Sequence, residues 1–512
     1  MTSGKPVEKS MERVPPGPAV TDRAELDRLV ACEYCDAVYR RLVLGPGERA
    51  QCLRCGGELY HESRRAYRRL LPLVLTALIL FIVSNAYPIV EMDLQGVRTR
   101  TTLWGAVQAL QADNMTLVAL LVFATTIVFP LAEMLMMAYL LVPLMRGTVP
   151  PGFERIMRGI RQTRPWGMLE VFMMGVLVTL VKLSTMAQVL PGIALWSFGA
   201  LVIVLATMLT YDPRDLWRHA ERRQGGGAAM SAGDPKPSVR ERALRRSREV
   251  VVGVVQELAD DDERTPLPEV PTATSMGLLS CHACDALSPL DQEGEPCRRC
   301  GATLHHRKPA SLTRTWAFLL AAYILYIPAN VLPIMITRSI LGTQEDTILS
   351  GIIYLWLSGS RMLAIVVLIA SIVVPLLKMM ILTFLLLSVH LRSTWRLRQQ
   401  TKLYGLVELI GRWSMLDIFV VALLASLVRA GALAQVDPGT GAAAFGMVVV
   451  LTMLASLSFD PRLLWDAHDH ADGRGHGRTQ GRTHGHADSH ADGHGPREAH
   501  GGAAPASARA ND

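Results

Sequence analysis

The chain has 512 residues, of which half are hydrophobic and only 19% charged, and a formal net charge of +7. That balance excludes an ordinary soluble globular protein. Much of the basic excess is arginine in short loops beside apolar runs, which points to membrane topology and away from nucleic acid.

Residues 1–29 are polar and carry no apolar core of a signal peptide; they read as a disordered N-terminus. Residues 30–62 hold Cys32, Cys35, Cys52 and Cys55 in two C-x-x-C pairs. The following block, 63–220, contains four apolar stretches near 70–90, 115–145, 168–190 and 192–211. About 20 helical residues cross the hydrocarbon core, so each stretch is a candidate span; the longest would tilt or project. Residues 221–278 form a linker, flexible at "RRQGGGAAMSAGDPKPS" and helical at "VRERALRRSREVVVGVVQEL". That helix either lies on an anionic membrane surface or is solvated. Residues 279–307 hold Cys281, Cys284, Cys297 and Cys300, again as two C-x-x-C pairs. A second membrane block, 308–466, has stretches near 315–337, 362–389, 414–436 and 442–459. The tail, 467–512, is rich in Gly, Asp and His and reads as disordered, with weak metal affinity as the alternative.

The chain repeats itself. "SNAYPI" at 84–89 matches "ANVLPI" at 329–334, and Pro130 matches Pro375, both at an offset of 245. "RPWGMLEVF" at 164–172 matches "GRWSMLDIF" at 411–419, and "YDPRDLW" at 211–217 matches "FDPRLLW" at 459–465. The expected fold is an all-α integral membrane protein of two tandem four-helix modules, eight spans in all, each preceded by a small cysteine ribbon. Arginines crowd the loops at 146–164 and 391–412, whereas 91–114 and 338–361 hold two basic residues each. Both termini and both ribbons are therefore expected in the cytoplasm, with the two modules related by an axis along the membrane normal.

All eight cysteines fall in the two quartets, spaced C-x2-C-x16-C-x2-C and C-x2-C-x12-C-x2-C. Four thiolates suit tetrahedral zinc, and Gly56 and Gly301 directly after the last cysteine suit tight knuckle turns. The same set suits iron. A redox role would need a thioredoxin-like βαβ pattern, which is absent from the sequence. A closed four-sulfur site has no open coordination position, so structural zinc in each ribbon is expected. The ribbon would cap the cytoplasmic side, clamping the start of its own bundle and bracing the other.

Paired four-cysteine ribbons, four spans after each, N-x-x-P-I ending the first span and D-P-R-x-L-W closing each bundle resemble the paraquat-inducible protein A family. The resemblance covers roughly 30–220 and 280–466. It implies a bacterial inner-membrane protein that moves lipid to or from a periplasmic MCE-domain partner.

Ionisable residues inside spans are costly and mark function or a buried pair. Glu133, Glu170 and Lys182 lie in the first block, Lys378, Asp417 and Arg429 in the second. The repeat pairs Glu133 with Lys378, so the charge reverses. Lys378 follows Pro375 on a long span, with Ser371 two turns back and Ser414, Asp417 and Thr452 on neighbouring spans. These residues form either a polar switch that couples transport to an ion gradient or a static salt bridge. Lys182 and Arg429, nearer the periplasmic face, are expected to snorkel. Asp212 and Asp460, each before proline, are expected to end their helices and fix the turn, with transport the alternative for Asp212.

Three functions compete. Lipid transport rests on the resemblance. Divalent metal transport draws on the tail and ribbons but finds no histidine mid-span, and a membrane thiol or redox protein draws on the C-x-x-C pairs. No phosphate-binding G-x-x-x-x-G-K-[ST] loop is present, and the protein is not expected to be an enzyme.

Overall fold

The computed structural model describes residues 23–42, 49–61, 66–94, 97–112, 115–184, 188–209, 216–217, 220, 270–339, 342–359, 361–393, 396–411, 419–420, 423 and 434–471. Asp212, Ser414, Asp417 and Arg429, the side chain of Lys182, and most of the 414–436 stretch lie outside them.

The structure is mostly helical. In α1 (Ala66–Ala86) the buried side chains Leu70, Val74, Ala77, Phe81 and Ser84 recur at three and four residues, which gives one inward stripe. Leu75, Ile79 and Ile82 face outward on the same helix and are exposed, as on a surface that lipid would cover. The helix α2 (Leu103–Ala112) follows. Next, α3 runs over Thr116–Arg146 with a π-helical turn at Ala124–Val128. The first half then continues with α4 (Phe153–Thr163), α5 (Leu169–Ser184) and α6 (Ile193–Leu209).

The second half repeats this order. It has α7 (Ser311–Val331), α8 (Ile348–Leu357) and α9, which starts at Arg361 and passes through a π-helical turn at Ile369–Val373 to His390. Then come α10 (Leu397–Gly411), α11 (Thr440–Ser458) and α12 (Leu463–Ala471). The π turns have one cause in both halves. Pro130 and Pro375 lack an N–H, and their rings would strike the carbonyl one turn earlier; a widened turn relieves both. Within each half the first and last long helices pair, α1 with α6 and α7 with α11.

The all-α expectation omitted the sheets. In the ribbons β1 (Leu29–Ala31) pairs with β2 (Val38–Arg40), β3 (Arg49–Gln51) with β4 (Glu58–His61), and β8 (Leu278–Ser280) with β9 (Leu287–Pro289), and each half adds a three-stranded sheet. β5 (Val90–Leu94) lies between β6 (Val97–Thr101) and β7 (Gln188–Pro191), and β10 (Met335–Ser339) lies between β11 (Gly342–Asp346) and β12 (Ala434–Pro438), all antiparallel. The N-x-x-P motif feeds the central strand of each. Asn85 and Asn330 donate from Nδ2 to the carbonyls of Phe81 and Tyr326, 2.8 Å in both, which satisfies a helix-end acceptor. Gly192 and Gly439 then donate to Ile89 and Ile334 (3.0 and 2.7 Å). A Cβ at either glycine would collide with the carbonyl of Pro88 or Pro333.

The ribbons pack crosswise. Cys32, Cys35, Cys52, Cys55, Tyr39 and Tyr60 of the first share a hydrophobic cluster with Leu382, Leu386, Tyr404, Phe459 and Trp465 of the second half. Cys281, Cys284, Cys297, Cys300 and Leu304 of the second share one with Phe153, Met157 and Ile160 of the first half. A third cluster, including Leu29, Val38, Ala273, Met276 and Leu287, joins the two ribbons. Residues 270–277 take part, bridging Thr272 to Ala37, so the C-terminal end of the expected linker is folded onto the first ribbon.

Candidate functional site

Each cysteine quartet is made of two near-identical turns. Cys32, Cys52, Cys281 and Cys297 each accept at their carbonyl from the residue four along: Asp36, Gly56, Asp285 and Gly301, at 2.7–3.0 Å. Those four residues have φ of 62°, 77°, 56° and 67°, a left-handed conformation that glycine and, less easily, aspartate adopt. The sequence signal at Gly56 and Gly301 therefore has two counterparts, Asp36 and Asp285. Sγ–Sγ distances are 3.5 Å (Cys32–Cys55, Cys35–Cys52) and 3.6 Å (Cys281–Cys300, Cys284–Cys297). Bonds of 2.3 Å from a tetrahedral centre would set sulfurs about 3.8 Å apart, so both quartets fit such an ion closely. All eight thiols are free and buried, and the ligand atoms of each quartet lie within 4.8 Å of one another.

The D-P-R-x-L-W motif ties the last long helix to the ribbons. Asp460 Oδ1 accepts from the Arg462 amide and Oδ2 from the Lys308 amide, 3.1 Å each, and its own amide donates to Ser311 Oγ (3.0 Å). Burial opposes its charge, but Arg462 and the Lys308 amide outweigh that and hold its carboxyl below the usual range. It thus fixes the turn as expected, and also anchors the chain leaving the second ribbon. Arg462 Nε donates to the Glu33 carbonyl (3.2 Å), and Trp465 stacks under the buried Arg54 of the first ribbon (4.6 Å). Arg54 also pairs with Asp469, while Arg398 donates to the carbonyls of Leu53 and Arg54 (3.2 and 3.0 Å). On the other side Arg161 of α4 holds one carboxylate from each ribbon, Glu33 at 2.9 Å and Asp285 at 3.0 Å.

Below the ribbons lies a cavity of about 530 Å³. Glu33 and His282, Arg161 and Glu408, and Leu205 and Met453 are three pairs of matching repeat positions, and all six residues line it. Matching positions of both halves therefore wall the cavity. Its charged lining includes Glu133, Glu170, Arg164, Lys308 and Asp460, and its apolar lining Leu169, Met208 and Leu457. Burial pushes the Lys308 ammonium pKa down. His282 is neutral, its pKa pushed down to about 4 by burial and then by Arg462.

Of the residues singled out from sequence, Glu133, Glu170 and Asp460 reach this cavity. Glu133 faces Arg164 at 3.9 Å. Their repeat mates are Lys378 and Gly411. Lys378 is 1% exposed, and its Nζ has no hydrogen-bond partner among the described residues. It rests against Gly411, where a Cβ would come within 3.1 Å of Nζ. Ser371 and Thr452 are buried near mid-helix, with hydroxyls donated to their own helices at Val367 and Val449 (2.7 and 3.0 Å). Sequence reasoning missed Glu33, Arg161, Asp285 and Glu408. Glu33 and Asp285 stand next to metal-type cysteines, a position whose obvious role is the turn. Arg161 looked like one loop arginine among several.

Thr116–Arg146, Ser311–Val331, Ala364–His390 and Thr440–Ser458 are long and apolar enough to cross a membrane; Leu70–Ala86 and Ile193–Met208 are apolar but shorter. The class is a mostly helical membrane protein with two four-cysteine clusters. The family model "Paraquat-inducible protein A" matches twice, over residues 67–221 and 312–469, and the chain belongs to that family. It is 32% identical over 451 residues to the intermembrane transport protein PqiA of Escherichia coli (strain K12), covering 86% of this chain and 97% of that one. It is 30% identical over 444 residues to the lipophilic envelope-spanning tunnel protein A of the same strain, covering 86% and 92%. A probable intermembrane transport protein of Haemophilus influenzae is 28% identical over 452 residues, covering 86% and 97%. No solved structure matches the chain.

Proposed function

We propose that this protein is the inner-membrane component of an intermembrane lipid transport system, passing phospholipid to or from a periplasmic MCE-domain partner. The observation that carries this reading is the cavity lined by both halves, whose charged walls and apolar lining match an amphiphile's head group and chains. The names of the relatives support a transport role. In this reading both termini and both ribbons are cytoplasmic, and each ribbon holds one structural zinc ion. The β5–β7 and β10–β12 sheets are periplasmic and offer the docking surface. Lys378, with Ser371, Ser414, Thr452 and Asp417, is the polar switch, and Glu133 and Asp212 belong to the first-half counterpart. An ammonium deep in the protein against a glycine has room to change partners as the halves shift, which suits ion coupling.

The test is a native preparation together with a complementation assay. Phospholipid and a periplasmic MCE-domain protein are expected to co-purify. Lys378→Ala is expected to abolish complementation while the protein accumulates and binds zinc, with Lys182→Ala milder. A preparation holding neither lipid nor partner overturns the transport reading. Full complementation by Lys378→Ala overturns the switch.

A further inference from the structure

Matching positions of both halves line the cavity, yet its charges do not follow the repeat. Glu408 stands where the first half has Arg161, and Glu133 where the second has Lys378. Among the described residues six carboxylates line the cavity against four guanidinium and ammonium groups. The cations are also engaged. Arg161 holds two carboxylates, and Arg164 faces Glu133. Arg462 is 3.7 Å from Asp36, and Lys308 Nζ donates to the carbonyls of Leu457 and Phe459 (2.9 and 3.0 Å). An ammonium has three hydrogens, so Lys308 keeps one to give. Glu170 is exposed to the cavity and has no partner among the described residues. A net anionic head group would enter against a surplus of negative charge. A head group carrying its own ammonium would meet Glu170 with that end and Lys308 with its phosphate.

We infer that the cavity selects phospholipids whose head group bears a primary amine beside the phosphodiester, as in phosphatidylethanolamine, over those with an uncharged polyol head group. This rests on the lipid-transport reading. Loss of the Glu133 carboxylate would remove one negative charge from the lining and shift the balance towards the anionic lipid.

Native mass spectrometry on the purified full chain, with equimolar phosphatidylethanolamine and phosphatidylglycerol of identical acyl chains, tests this. The wild type is expected to retain the ethanolamine lipid at least about fivefold over the glycerol lipid, the scale of one ordinary net hydrogen bond. Glu170→Gln is expected to bring the ratio to within about twofold, and Glu133→Gln to lower it further. The exposed Asp291→Asn, outside the cavity lining, should leave it unchanged. Each variant's metal content serves as the folding control. Equal retention, or preference for the glycerol lipid in the wild type, overturns the head-group inference and leaves lipid transport standing. An unchanged ratio in Glu170→Gln overturns the inference as well. Retention of neither lipid by a wild type that keeps its metal overturns both readings.

Discussion

Phe172 and Phe419 occupy matching positions of the two repeats, and their rings meet edge to face, with centroids 5.3 Å apart and planes at 80°. The two halves therefore meet at matching positions. Both rings are fully buried, and Phe198 packs on Phe172 at 5.3 Å. The contact is thus a keystone between the halves, formed across 247 residues of chain. Replacing either phenylalanine by alanine should cost about 3–5 kcal/mol. The double variant should lose less than the sum, because both changes open the same space. Thermal unfolding in detergent of the singles and the double checks this; strict additivity would mean the two rings do not share an environment.

The crosswise packing of the ribbons makes a directional prediction about metal loss. Cys52→Ser removes one sulfur from the first quartet, whose ribbon contacts run to Trp465, Tyr404 and Arg398 in the second half. Hydrogen exchange should therefore rise at 397–411 and 463–471, far along the chain from the substitution, and stay near wild type at 66–86. Cys297→Ser should instead loosen 153–163. Exchange confined to residues next to each substituted ribbon would contradict the crosswise arrangement.

Gly411 leaves the space in which the Lys378 ammonium sits, with Met453 Sδ 3.3 Å from a Cβ placed there. Gly411→Ala must push one of two flexible side chains aside, at a cost of about 1–3 kcal/mol. Lys378→Met removes the crowding ammonium, so the double variant should regain much of that stability without regaining function. A melting series on the four proteins reads the coupling, and complementation reads the function. Equal melting of Gly411→Ala and wild type would show that the space is looser than the distances imply.

Gly439→Ala differs, because its obstacle is backbone and not a side chain. The added methyl meets the Pro333 carbonyl, which is tied through β10 to β11 and β12. The expected result is a loss of at least about 3 kcal/mol or failure to accumulate. Gly351→Ala, in α8 with open space around it, should be close to neutral or slightly stabilising. Normal accumulation and melting of Gly439→Ala would remove the close approach from the account of this turn.

Reporter fusions at Gly96 and Gly147 test the membrane orientation. β5 pairs with both β6 and β7, so the segments that follow α1 and α5 meet at one end. The ribbons pack on α4 and α10, in the arginine-bearing loops. The two reporters should read opposite sides, Gly96 periplasmic and Gly147 cytoplasmic. The same side for both would refute the proposed topology.

The sequence alone determined what depends on local spacing. Uncharged runs of about 20 residues specify apolar helices by length. Two C-x-x-C pairs per ribbon bring four sulfurs together, because each pair is a self-contained turn. Asn85, Asn330 and Asp460 perform the end-of-helix roles their positions predict, since their partners lie a few residues away or in the adjoining turn. Tertiary structure decided what depends on distant segments meeting. β7 and β12 reach their sheets from a loop some hundred residues downstream, and nothing in "QVLP" or "AQVDP" names a partner strand. A ribbon's choice of the opposite half rests on contacts such as Arg54 with Trp465 and Asp469, more than 400 residues apart. The charge reversal between Glu133 and Lys378 was legible from the repeat. Its setting was not: only folding places Arg164 before one and Gly411 before the other, and Glu170 beside a cavity already crowded with acid. Electrostatic surplus is a property of a surface assembled from both halves, so no window of sequence contains it.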